Sequence, residues 1–338
     1  MPKKELCLGI ESTADDFGVG VVSSDGEILA NVSDAYTPIR GGIHPREAAR
    51  HHAKVAWRVI RRALEKAGVK ARDVDVFAFS QGPGMGPCLR TGATVARALS
   101  VYFNAPLAGV NHCVAHIEIG RLLTDCRDPI ALYVSGGNTL VSGFEDGRYR
   151  IYGETLDIAV GNCLDVFARE VRLPYPGGPA LEKMAERGKE LVPLPYAVKG
   201  MDPSFSGLLT AATEKLREGV GVEDLSFSLQ ETVFSMLAEI TERALAHTGK
   251  SEVLLTGGVA TNKRLQSIMK CMVEERGGLL HVVPKEYAID NGAMISYVGL
   301  LMFGVSKVTP IEKSGVRPKW RLDAVDIPWR ESSQNLGL

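Results

Sequence analysis

The chain has 338 residues, 45% of them hydrophobic and 23% charged, with a formal net charge of −1. These values exclude a disordered protein and a polycation that grips nucleic acid over its whole surface, and the length predicts about two domains of ordinary size. Six cysteines without C-x-x-C spacing exclude a zinc ribbon and a secreted disulfide framework, and predict reduced, mostly buried thiols. The opening "MPKKELCLGIES" holds an apolar run too short for a signal peptide, and no apolar stretch reaches spanning length, so a cytoplasmic protein without membrane attachment is expected.

In chain order, "ELCLGI", "GVGVVS" and "EILANVS" read as three strands joined by tight turns, the first turn being "ESTADDF". After the loop "RGGIHP" a helix is predicted from Pro45 to Ala67, with proline at its start and Gly68 just past its end. Its residues Arg58, Arg61, Arg62 and Lys66 form a basic face, readable either as a solvated surface or as a binding patch. Strand "VDVFAFS", the loop "QGPGMGP", a helix near Leu89 to Phe103 and strand "PLAGV" follow, and a further helix starts at about Asn111. The order is βββαβαβα.

From Pro129 the same plan starts again, with strands "IALYVS", "TLVSGF" and "RYRIYGE". Helices and loops are inserted between about 157 and 248, and then come strand "EVLLT", helix "NKRLQSIMKCMVEE", strand "LLHVV" and helix "NGAMISYVGLLMF". The expected division is residues 1–128 and 129–338, two lobes of a duplicated α/β fold facing each other across a ligand cleft.

In "VNHCVAHIEIG" His112 and His116 stand four apart, on one face of a helix. Such a pair is either hydrogen-bonded locally or holds an ion. Asp290 in "DNGA" follows the corresponding strand of the second copy, so the duplication predicts it opposite the histidines as a third ligand. Two histidines and one carboxylate with open positions suit Fe(II) or Zn(II). Four glycine-bearing turns, "ESTADDFG", "SGGN", "YPGGPALE" and "TGGVATNKRL", offer backbone N–H groups to an anion, each also explicable as a plain turn. Glu182, one turn into the helix after "YPGG", is placed to accept from ribose hydroxyls or to offset the helix dipole. Neither a G-x-x-x-x-G-K-[ST] loop nor a G-x-G-x-x-G after the first strand occurs, so a nucleotide would be held by a two-lobed clamp.

Glycine hairpins on a duplicated βββαβαβα plan resemble the actin, sugar-kinase and Hsp70 (ASKHA) superfamily. "GIEST", "NHCVAHIEIGR", "YVSGGNT", "RYRIYGETLDIAVGNCLDVFAR", "YPGGPALEKMA", "LPYAVKGMDPSFSGLL", "TGGVATNKRL" and "AIDNGAMISYVG" narrow the resemblance to the tRNA threonylcarbamoyladenosine synthases. That family is called TsaD in bacteria and is the catalytic subunit of KEOPS in archaea and eukaryotes; it was once described as a glycoprotease. The resemblance spans about residues 5 to 330. It implies a metal, Fe(II) ahead of Zn(II), on His112, His116 and Asp290, with Tyr133 as a further ligand. It also implies substrate contacts from Tyr133, Val134, Ser135, Gly136 and Gly137, and adenylate binding by Asp165, Gly178, Glu182 and Asn262. The activity implied is transfer of threonylcarbamoyl from threonylcarbamoyl-AMP to N6 of the adenosine 3′ to the anticodon, in tRNAs reading codons that begin with A, with release of AMP. Glu11, at the end of the first strand, is the carboxylate nominated to assist proton removal, or else to orient the first glycine turn. The partners implied are tRNA, a small kinase on a separate chain and other KEOPS subunits.

Two rival chemistries are weighed against this. An ATP-dependent phosphotransferase of the same superfamily would hold Mg²⁺ on carboxylates and water. A zinc protease would read H-E-x-x-H, and this helix reads H-C-V-A-H, without the general-base glutamate.

Overall fold

The computed structural model describes residues 4–38, 42–174 and 176–330. Tyr175 of the "YPGGP" motif and the start of the "RGGIHP" loop lie outside the described residues. The first half contains β1 (Leu6–Glu11), β2 (Asp16–Ser23), β3 (Ile28–Ala35), α1 (Pro45–Ala67), β4 (Val76–Gly82), α2 (Gly86–Phe103), β5 (Leu107–Asn111) and α3 (His112–Thr124). Then come β6 (Ile130–Val134), β7 (Thr139–Glu145), β8 (Arg148–Glu154), α4 (Val160–Glu170), α5 (Gly177–Ala185), the two-residue strands β9 (Val198–Lys199) and β10 (Asp202–Pro203), α6 (Ser206–Arg217) and α7 (Val222–Thr248). The chain continues through β11 (Glu252–Thr256), α8 (Lys263–Glu275), β12 (Leu279–Val282), α9 (Lys285–Ala288) and α10 (Gly292–Gly304). No helix among the described residues is long and apolar enough to cross a membrane.

The duplication is visible in the sheets. One has the order β3-β2-β1-β4-β5 and the other β8-β7-β6-β11-β12, so each copy is a meander extended by two parallel strands. Parallel pairing needs a crossover, supplied by α1 and α2 in the first copy and by the inserted helices and α8 in the second.

Contacts divide the chain into two units. The first runs to Leu123, includes Asp146–Tyr149 and resumes at Ile289; the second comprises Thr124–Glu145 and Arg150–Ala288. A division at residue 128 would keep everything after it together, whereas the stretch from Ile289 onward packs into the first unit. The reason lies in side-chain size. On β1 and β2, Leu8, Ile10, Phe17, Val19 and Val21 point to one face and build a core with Val55, Val59, Ile60 and Ala63 of α1 and Ala93 and Ala96 of α2. The alternate positions are small: Gly9 and Gly20 are register partners, and a β-carbon would lie 2.1 Å from Ser296 N if added to Gly9 and 2.3 Å from Ala293 N if added to Gly20, both backbone atoms of α10. Glycines thus let α10 lie directly on the sheet, and Ser296 Oγ donates to Cys7 O at 2.7 Å. Asp290, two residues before α10, is carried along with it.

The second unit has its own core, in which Leu229, Val233, Phe234, Leu237 and Ile240 of α7 pack with Ile130, Leu132 and Val141 of its sheet and Phe167 of α4. Helix α2 starts at Gly86 rather than near Leu89, because Pro87 is tolerated in a first turn whose N–H groups need no partner within the helix.

Candidate functional site

Alternation along β1 places Glu11 on the face of Gly9, away from the α1/α2 core. The following turn is tied back to it: Thr13 N donates to Glu11 Oε1 at 2.6 Å. Glu11 is fully buried, and its other oxygen, Oε2, lies 3.1 Å from His112 Nδ1. The histidine helix is started by Asn111, whose Oδ1 accepts from Cys113 N at 3.0 Å and Val114 N at 3.2 Å in the manner of an N-cap. One turn of α3 separates His112 from His116, and their rings meet edge to face with centroids 4.7 Å apart.

Asp290 completes the group. Its Oδ1 is 3.4 Å from His112 Nε2 and 3.1 Å from His116 Nε2, while Oδ2 accepts from Thr13 Oγ1 at 3.4 Å. The three ligand atoms lie within 4.8 Å of one another, and both histidines are buried while Asp290 keeps partial exposure. Two imidazoles and a carboxylate are the donor set of a first-row divalent ion with positions left open. His112 Nδ1 faces Glu11, which leaves Nε2 directed at Asp290, the arrangement in which an outer carboxylate orients a metal-bound histidine. The residues present therefore fit a divalent metal.

The electrostatics agree. Burial disfavours a charged His112 ring, yet Glu11 and Asp290 outweigh it and raise its pKa to about 10. Burial would also raise Asp290, but His112 and His116 hold it well below the usual carboxylate range. His116 is pushed down, first by burial and then by its neighbour His112, against the hydrogen bond to Asp290. Nearby Asp16 is raised to about 8, by burial first and then by Asp290, Asp15, Glu11 and Asp34. The carboxylates make this pocket favour positive charge.

A second group lies in the second unit. Tyr133 and Val134 end β6, and Tyr133, fully buried, is the register partner of Thr256 at the end of β11. Beyond them Ser135 Oγ accepts from Gly137 N at 3.3 Å and Asn138 N at 3.0 Å, which shapes the glycine turn. Gly257, with φ of 95°, passes so close that a β-carbon would lie 2.2 Å from Val134 O. Asp165 on α4 accepts from Gly177 N at 2.8 Å and Gly178 N at 3.1 Å, clasping the start of α5; burial raises its pKa against those two bonds. Glu182 accepts from Lys263 N at 2.6 Å, at the start of α8. Asn262 caps α8 by accepting from Arg264 N and Leu265 N, and its Nδ2 donates to Gln230 Oε1 at 2.9 Å. The structure thus joins Asp165 to Gly178 and Glu182 to the helix that Asn262 caps, and it joins His112, His116, Asp290 and Glu11. Tyr133 belongs to the second unit, and His112, His116 and Asp290 to the first.

Sequence reasoning missed Thr13, which touches both carboxylates, and the capping role of Asn111. The signal for Asn111 was present, an asparagine directly before a helical run; Thr13 had none.

Two five-stranded sheets of identical order, each β-meander extended by two parallel strands, place the chain in the ASKHA fold class. Among solved structures it resembles HypF of T. kodakarensis, at 17% identity and a TM-score of 0.64, over 89% of this chain and 48% of that one. A model of the tRNA N6-adenosine threonylcarbamoyltransferase family, TsaD, matches residues 27–297. The tRNA N6-adenosine threonylcarbamoyltransferase of Thermofilum pendens is 57% identical over 324 residues, 96% of each chain. A probable bifunctional tRNA threonylcarbamoyladenosine biosynthesis protein of Methanothermobacter thermautotrophicus is 53% identical over 98% of this chain and 62% of its own length. The chain belongs to the tRNA N6-adenosine threonylcarbamoyltransferase family, and the phosphotransferase alternative gives way to it.

Proposed function

We propose that this chain moves threonylcarbamoyl from threonylcarbamoyl-AMP to N6 of the adenosine 3′ to the anticodon, with one divalent ion, Fe(II) or alternatively Zn(II), on His112, His116 and Asp290. The observation that carries the reading is the convergence of those three side chains, 174 residues apart between His116 and Asp290, around a histidine braced by buried Glu11. Bound there, a divalent ion supplies Lewis-acid polarisation of a carbonyl or an anchor for a carboxylate.

The protein's own work is to place the reactants. N6 forms a bond to the carbamoyl carbon and releases one proton, and AMP leaves with the electron pair of the broken C–O bond. The exocyclic amine is a weak nucleophile, so holding it against the carbonyl is the main demand on the site. Tyr133, Val134, Ser135, Gly136 and Gly137 are assigned to the substrate, and Asp165, Gly178, Glu182 and Asn262 to its adenylate. This is supported by glycines 136, 137, 178 and 258, where an added β-carbon would meet nothing within 4 Å and a ligand has room to approach the backbone. The first N–H groups of α8 are taken by Glu182 and Asn262, so these two residues fix the helix start and leave phosphate contacts to the glycine turns. Both oxygens of Glu11 are engaged by Thr13 and His112, which supports orientation of the metal ligand as its role rather than proton removal.

Relatives named for tRNA threonylcarbamoyladenosine biosynthesis support tRNA as a partner and the cytoplasm as the place of action. We assign the chain to a KEOPS-type complex with a separate small kinase and further subunits. The test is reconstituted transfer with threonylcarbamoyl-AMP, tRNA and defined partners: His112→Ala is expected to abolish modification, and equal modification by wild type and variant would remove the metal from the reaction.

A further inference from the structure

We propose that the segment Arg317–Arg321, with Arg90 beside it, is the surface of the first unit on which the phosphate backbone of the RNA substrate docks. The inference rests on the chain being a tRNA-modifying enzyme and adds where the RNA is held.

Arg317, Pro318, Lys319, Trp320, Arg321 and Ala324 line a surface groove of about 620 Å³. The Arg317 guanidinium lies over the Trp320 ring, 4.2 Å from its centroid, and Arg317, Lys319 and Arg321 are exposed. Arg90 reaches the same rim: a β-carbon on Gly86 would be 3.3 Å from Arg90 Nη1 and 3.7 Å from Pro318 Cγ. Arg321 is paired with Asp323, but among the described residues Arg90, Arg317 and Lys319 have no carboxylate partner. Elsewhere Arg58, Arg148, Arg243 and Arg264 are each paired with a carboxylate. In a chain of net charge −1, three unpaired cations around a stacked indole form a local positive, π-faced strip suited to a sugar-phosphate chain and its bases.

The strip is fastened to the metal centre. Trp320 O accepts from Asn111 Nδ2 at 3.2 Å, and Asn111 directly precedes His112. Pro318 O accepts from Gly84 N at 3.1 Å, and the next residue, Met85, donates its N–H to Thr13 O at 2.8 Å. Thr13 in turn donates to Asp290. The backbone that presents the cations is therefore bonded directly to Asn111, which precedes His112, and is linked to Asp290 only through Gly84, Met85 and Thr13. On the proposed reading, these cations take the phosphates of the nucleotide whose base enters the centre.

The test compares Arg317→Glu/Lys319→Glu with Arg62→Glu/Lys66→Glu, an equal charge reversal in another basic groove of the first unit. tRNA binding is followed by fluorescence anisotropy across salt concentrations, and transfer is assayed with defined partners. The first pair is expected to weaken binding about tenfold or more and to flatten the salt dependence by about 1.4 to 1.8 in log–log slope, two phosphate contacts' worth. KM for tRNA should rise while kcat at saturating tRNA stays within about twofold, the pattern of lost uniform binding. Wild-type affinity and slope in the first pair, or an equal loss in the second, would overturn the proposal. Should the glutamate pair not fold, Arg317→Gln/Lys319→Gln takes its place with the same criteria and the same slope change, since two contacts are lost either way, and with a smaller loss of affinity because no repulsion is added. Failure of the transferase reading looks different: wild type itself would then bind tRNA without modifying it.

Discussion

Both oxygens of Glu11 are occupied, one by the turn that follows it and one by His112 Nδ1, 101 residues away. A strand ending in a carboxylate is readable from "GIEST", but its partner is not, because local sequence does not reveal which ring a buried acid faces. The histidine pair was legible for the opposite reason: helical periodicity alone puts positions 112 and 116 on one face. If Glu11 orients the ligand, Glu11→Gln should keep the fold and weaken metal affinity by about 10- to 100-fold, as outer-shell substitutions do. Metal titration monitored by competition with a chromophoric chelator measures this; unchanged affinity would leave Glu11 with the turn alone.

Between elements, the joints were harder to read than the elements. Pro45 and Gly68 announce α1 in the sequence, and the structure closes it with Gly68 in the left-handed region. The seating of α10 on β1 and β2 depends on glycines far apart in sequence, a match that no single segment displays. Gly20→Ala would set a β-carbon 2.3 Å from backbone at Ala293, so it should cost about 2–3 kcal/mol of stability. It should also lower metal content, since Asp290 rides on the displaced helix; thermal unfolding and metal analysis of the same sample check both. Asp157 joins elements in the second unit, accepting from Phe205 N at 2.9 Å and Ser206 N at 3.0 Å and from the Ser204 and Ser206 hydroxyls at the start of α6. Burial opposes its ionisation, but these bonds outweigh it and hold its pKa below the usual range. A carboxyl depressed on folding stabilises fully above its unfolded pKa of about 3.9 and loses that contribution as pH falls through the folded value. Asp157→Ala should therefore cost about 1 kcal/mol at neutral pH, given its exposure, and the difference from wild type should shrink below about pH 4 in urea melts.

For the whole molecule, the duplicated plan was legible from turn spacing and strand periodicity, and the two sheets share one strand order. What the plan concealed was that the last helix of the second copy packs with the first sheet, so that the centre is assembled inside one unit from residues 11, 13, 112, 116 and 290. Chain order suggests a carboxylate arriving from an opposing half; packing delivers it as part of the same body as the histidines. Metal content would thus report a long-range fold contact as well as the three proposed ligands. The decisive measurement is the divalent metal stoichiometry of the purified chain by plasma mass spectrometry, wild type beside Asp290→Ala. One ion per chain falling to about a tenth or less in the variant is the predicted result, and a full complement retained by Asp290→Ala would contradict the site.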